Sequence, residues 1–131
     1  MTINFTIKTE KIKVFANHLS RLLTPRSALV IASFMAIIST AWFFSADKIV
    51  AYGDAESHLN IAKRVVDGLT PGFAQLGGIW LPLPHILLIP FVKLDFLWRS
   101  GLAGSIVSGV AFILSALFIY KIILLLFKNK S

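Results

Sequence analysis

The sequence predicts an all-α integral membrane protein: two transmembrane helices joined by a long extracytoplasmic loop with interfacial helices. Three observations lead there. The 131 residues are 56% hydrophobic, with a mean hydropathy of +0.80, which is more apolar than a soluble domain of that length. Two stretches, 27–45 and 101–127, are apolar and long enough to cross a bilayer core as helices, which takes about 20 residues. Apart from Lys121, the basic residues lie outside them. Of a net charge of +7, Lys8, Lys11, Lys13, Arg21 and Arg26 precede the first stretch, and Lys128 and Lys130 follow the second. Cytoplasmic flanks of membrane helices carry this bias.

Residues 1–26 form the basic lead. Ile12, Phe15, Leu19 and Leu22 recur at helical spacing, and the charges lie largely elsewhere. This predicts an amphipathic helix on the anionic cytoplasmic leaflet. No base-stacking aromatics interleave with the charges, so nucleic acid is not an expected partner. There is no cysteine, which leaves no disulfide or thiolate chemistry and no clue to redox compartment.

The first span, "SALVIASFMAIISTAWFFS" (27–45), carries no charge. Pro25 suits a helix start, and Trp42, Phe43 and Phe44 suit the far interface. A cleaved signal peptide is the rival reading. The basic lead is long for one, and a cut after Ala46 would put Phe44 where a small residue belongs. The second span, 101–127, ends near Lys121, which can snorkel to the headgroups. Small residues recur every fourth position: Gly101, Ser105 and Gly109; Gly104 and Ser108; and Ala28, Ala32, Ala36 and Thr40 in the first span. Such stripes let helix backbones approach in lipid, so the spans are expected to pack together or on further helices. Ordinary small residues in a membrane helix are the simpler account.

Between the spans, 46–100 is expected outside, and the tail 128–131 inside. Within the loop, "WLPLPHILLIPFVKLDFLW" (80–98) is apolar but holds three prolines, Lys93 and Asp95. Prolines break the helical ladder and charges at that depth are costly. A third span would also send Lys128 and Lys130 outside, against the positive-inside rule. A kinked helix in the outer interface, anchored by Trp80 and Trp98, is the expectation. Both termini are then cytoplasmic, in what we read as a prokaryotic inner or plasma membrane.

The stretch "YGDAESHLNIAKRVVDG" (52–68) stands apart, with acids and a histidine on a short amphipathic pattern. Asp54 is expected as N-cap and Gly68 as the terminating glycine. Ala55, Leu59, Ala62 and Val66 form one stripe, widened by Ile61 and Val65. Asp54 and His58 flank it, while Glu56, Asn60, Lys63 and Asp67 lie opposite. The helix can therefore rest on the membrane, apolar side down. A bland account suffices: Asp54 caps, Glu56 favours the positive helix end, Lys63 pairs with Asp67, and His58 is a bystander. A functional account uses the same placement. A carboxylate at the membrane surface can act as general base toward an acceptor, and a second acid can help hold a divalent metal beside a phosphate.

"GDAESH" (53–58), "DGLTPGF" (67–73), "WLPLPH" (80–85) and "SGLAGS" (100–105) follow a first span and precede a returning one. In this order they resemble the N-terminal part of the GT-C-type membrane glycosyltransferases, in particular the family 39 and protein-mannosyltransferase-like group. The resemblance covers Ser27 to about Phe127. It implies a catalytic-loop module that transfers a sugar from a polyprenyl-phosphate donor to an extracytoplasmic acceptor. Asp54 would be the base and Glu56 the partner acid and ligand of a divalent metal, Mg or Mn. His58, Arg64 and His85 would touch substrate. Two departures stand. Many members have adjacent acids, whereas Ala55 separates these. Family members are also several times longer, so the chain resembles a truncated module, or one completed by transmembrane helices of another chain. The alternative is a small two-span structural or relic membrane protein without enzymatic activity.

Overall fold

A computed structural model describes residues 24–78 and 80–128. The predicted amphipathic helix of the basic lead and the end of the tail lie outside the described residues. Among the described residues the chain is helical, with no strand.

Helix α1 runs Pro25–Ser45. Pro25 occupies the first helical position and Thr24 caps it. The Ser27 N–H donates to Thr24 Oγ1 at 3.1 Å, and the Thr24 N–H donates back to Ser27 Oγ at 2.7 Å, so two otherwise orphaned donors are met. Helix α5 runs Leu102–Lys128. Both helices are long and apolar enough to cross a membrane. The core helix of a soluble protein would be covered on most sides. Here only Ala32 of α1 is buried, while Val30, Ile37, Phe118 and Leu125 stand exposed, as residues facing lipid would.

The two long helices pack antiparallel. A Cβ placed on Gly109 would lie 3.9 Å from Ala36 Cβ, and one on Gly101 would lie 2.5 Å from Ile49 Cγ2. The Gly101–Ser105–Gly109 stripe therefore faces α1 and its exit loop. Gly104 does not: it faces Leu59 Cδ2 at 4.0 Å, outside α1, whereas Ser108 also borders Met35 and Ala36 of α1. Gly101 also has φ +76°, a backbone that disfavours any side chain, and this lets α5 begin tight against Ile49 and Val50.

Between them lie α2 (Gly53–Asp67), a 3-10 turn (Phe73–Leu76), α3 (Pro82–Val92) and α4 (Asp95–Arg99). The N-cap of α2 is Tyr52, not Asp54, which corrects the expectation. The Ala55 N–H donates to the Tyr52 carbonyl at 2.9 Å, so the first turn closes two residues early and Asp54 falls within it. There its charge still complements the positive helix end. Gly68 does end the helix, with its N–H on the Arg64 carbonyl at 3.0 Å. A Cβ at Gly68 would lie 2.5 Å from that same oxygen.

The apolar stripe of α2 meets protein rather than a bare membrane surface. Leu59 and Ala62 pack with Leu88 and Val92 of α3 and Ala103 of α5 in one buried cluster. Helix α3 is only eleven residues long, with Pro90 inside it, too short to span. Polar contacts hold α2 to α4. Lys63 Nζ donates to the Val92 carbonyl at 3.0 Å and pairs with Asp95 at 2.7 Å and Asp67 at 2.7 Å. Trp98 Nε1 donates to Asn60 Oδ1 at 3.0 Å.

Candidate functional site

The local fold delivers the loop's acids and histidines unevenly. Asp54 sits in the first turn of α2, half-buried, and Glu56 is exposed two residues on. Two residues along a helix turn a side chain by about 160°, so the acids diverge. The Asp54 carboxylate faces the Tyr52 hydroxyl, and its hydrogen bond, then its charge, hold the phenol above the usual tyrosine value. Nothing in the residue spacing had singled out Tyr52.

His58 lies one turn after Asp54 on the same face of α2. It meets His85 of α3: His58 Nδ1 and His85 Nε2 are 2.8 Å apart. Trp80 closes the other side, its ring edge-on to His58 with centroids 5.0 Å apart. His85 is completely buried. Burial pushes its pKa below the usual histidine value, the neighbouring His58 adds to this, and the Leu81 carbonyl opposes it. That carbonyl falls short of hydrogen-bond geometry, since His85 Nδ1 has no partner among the described residues. The two histidines were each singled out by sequence. Their contact was not, although each sits on the apolar side of its helix, which was the available signal.

His58, held by His85, borders an apolar groove of about 470 Å³ between α2, α3 and α5. Ala55, His58 and Leu59 form one wall, Leu87 another, and Gly104 and Ser108 a third. Among the described residues, His58 is the only titratable one in its lining.

Arg64 does not join this group. It is exposed and ten residues beyond Asp54, about 15 Å along the helix. Lys63 proves more central than its expected pairing suggested. The hydrogen bonds it donates to Asp67 and Asp95 hold its pKa up, and Lys63 in turn holds the Asp95 carboxyl below its usual range. Among the described residues no three His, Asp or Glu side chains gather as metal ligands.

No family model, curated protein or solved structure matches the chain.

Proposed function

We propose that this chain is the catalytic-loop module of a membrane glycosyltransferase. It transfers a sugar from a polyprenyl-phosphate donor to an extracytoplasmic acceptor, with further transmembrane helices completing the enzyme. The observation that carries the reading is the seating of Asp54. It opens a helix directly after the first membrane-spanning helix, one turn from a histidine pair above an apolar groove. A partly desolvated carboxylate placed there can take the proton of an acceptor hydroxyl as that oxygen attacks the sugar's anomeric carbon. The bond to the lipid phosphate breaks, and the phosphate leaves with its electron pair. Glu56, exposed and directed away from Asp54, is assigned to orienting the acceptor.

Two spans and a loop cannot shield a whole polyprenyl chain. The isolated chain is therefore expected to release no sugar. The test replaces the first span, loop and second span of a full-length family 39 enzyme with residues 27–127 of this chain. Transfer of labelled sugar from the lipid donor by the fusion supports the proposal. A stably inserted fusion with no transfer favours a structural two-span protein instead.

A further inference from the structure

Helices α1 and α5 leave a second groove along one flank of their contact, of about 530 Å³. Neither His58 nor His85 lines it. Ala36 and Gly109, which meet at the helix contact, have too little side chain to fill it. The lining changes character with depth. Lys48 stands at the loop end. The hydroxyl side chains of Ser105, Thr40, Ser39 and Ser108 come next, and the deep end is apolar, closing at Met35 and Phe112. Met35 and Phe112 each lie ten residues in from the loop-side ends of their helices, Ser45 and Leu102. Ten residues are about 15 Å of helix, half the thickness of a bilayer's hydrocarbon core. The groove therefore runs from headgroup level to the midplane, the depth of one leaflet.

Lys48 is held at the rim by the way α1 ends. Asp47 takes φ +53°, the left-handed backbone that closes many helices. The Asp47 N–H donates to the Phe44 carbonyl at 3.1 Å, and the Lys48 N–H to the Phe43 carbonyl at 2.9 Å. This double closure folds Lys48 back over the last turn of α1. Its ammonium makes no ion pair among the described residues. The acids nearest it in sequence, Asp47 and Asp54, do not line the groove. A cation so placed favours a lipid with a negative headgroup. The hydroxyls define the next part of the ligand. Ser105 and Thr40 lie three and five residues in from the helix ends, and their O–H groups can donate. A glycerophospholipid carries its ester carbonyls just below the phosphate, at that level. A polyprenyl phosphate has no ester there, and a fatty acid has no phosphate.

We infer that the groove between α1 and α5 seats one acyl chain of an anionic glycerophospholipid from the loop-side leaflet, with the phosphate on Lys48 and the ester carbonyls against Ser105 and Thr40. The inference does not depend on sugar transfer. Val30, Ile37, Phe118 and Ile122 are exposed on the two long helices, so bilayer lipid already surrounds them and enters the groove sideways.

The test uses the full chain in phosphatidylcholine nanodiscs. A trace of phosphatidylglycerol carries a diazirine near the end of one acyl chain. Crosslinks are expected around Met35 and Phe112. The matching phosphatidylcholine probe should label roughly fivefold less, the worth of one lysine at an anionic surface. That difference should shrink with added salt. Lys48→Gln should bring the two probes level, and Lys48→Arg should keep them apart. Each is a ratio of two probes on one sample, so loss of folded protein cannot imitate it. Ser39→Trp, at an exposed position outside the histidine groove, should abolish labelling at both sites. An ether-linked phosphatidylglycerol should label less than the ester, and Thr40→Val with Ser105→Ala should erase that gap. Equal labelling by the two headgroups in the parent, or a preference that survives Lys48→Gln, overturns the inference. So does unchanged labelling in Ser39→Trp, or an ether-linked lipid that labels as well as the ester. Competition by a polyprenyl phosphate equal to that of phosphatidylglycerol overturns it in favour of any lipid phosphate. No labelling at either site in the parent overturns it in favour of a protein helix that covers the groove.

Discussion

Lys63 of α2 and Asp95 at the start of α4 lie 2.7 Å apart, and the same ammonium reaches the Val92 carbonyl at 3.0 Å. Residues 32 positions apart are thus tied at the end of α3. The ammonium also stands 5.0 Å from the centre of the Trp98 ring. Lys63→Met keeps the aliphatic stem and loses the charge. Amide exchange in Asp95–Arg99 should then rise roughly two- to fivefold, the span that a solvent-screened ion pair sustains. The effect should shrink with added salt. No change at low salt would mean that packing around Leu88 and Val92 alone holds α4.

His85 gives the loop a pH dependence with a definite sign. Its folded-state pKa lies below the usual histidine value of 6.5, chiefly because it is buried. An unfolded loop therefore binds the proton more readily than the folded one. The stability from a neutral His85 is complete above pH 6.5 and is lost as pH falls through the window beneath it. Trp80 fluorescence followed from pH 8 to pH 5 should report loosening on the acid side. His85→Phe should flatten that response. A loop that tightens on acidification would contradict the buried neutral imidazole.

The small-residue stripes of α5 divide their roles. Gly109 faces Ala36 of α1, whereas Gly104 faces Leu59 of α2. Gly109→Leu should weaken association of the two long helices by on the order of 1 kcal/mol. Gly104→Leu should instead disturb α2 and leave an α1–α5 crosslink in place. The same crosslink loss in both variants would show that the stripes are not separated.

Membrane topology follows from the charge distribution. Both termini are expected in the cytoplasm and Thr70 outside. Single cysteines at Thr9, Thr70 and Asn129 can be probed with an impermeant thiol reagent on intact cells. Only Thr70→Cys should label. Labelling at Asn129→Cys would mean that 80–98 crosses the bilayer.

The long helices were legible because apolar runs of that length have few other uses, and Pro25 marks the start of α1 in the sequence itself. The loop was legible only in part. The α2 stripe was visible, but periodicity does not say whether lipid or protein covers it; Leu88, Val92 and Ala103 do so from elsewhere in the chain. Asp54 looked like a cap because short acids favour that position, yet the first turn closes on the Tyr52 carbonyl. The His58–His85 contact spans 27 positions. Local pattern carries no information at such a separation, so the pair emerged only with the fold.

The central claim is that Asp54 is the base for sugar transfer. In the fusion carrying residues 27–127, the rate of sugar transfer from the lipid donor should fall by roughly 10²–10⁴ in Asp54→Asn. Asparagine matches the size of aspartate and no side-chain cap depends on Asp54, so the amount of inserted protein should stay constant. Glu56→Gln should cost less, and His58→Ala should raise the donor KM more than it lowers kcat. Transfer by Asp54→Asn at the parent rate, with equal protein in the membrane, would contradict the account and leave Asp54 as an acid that merely favours the start of a helix.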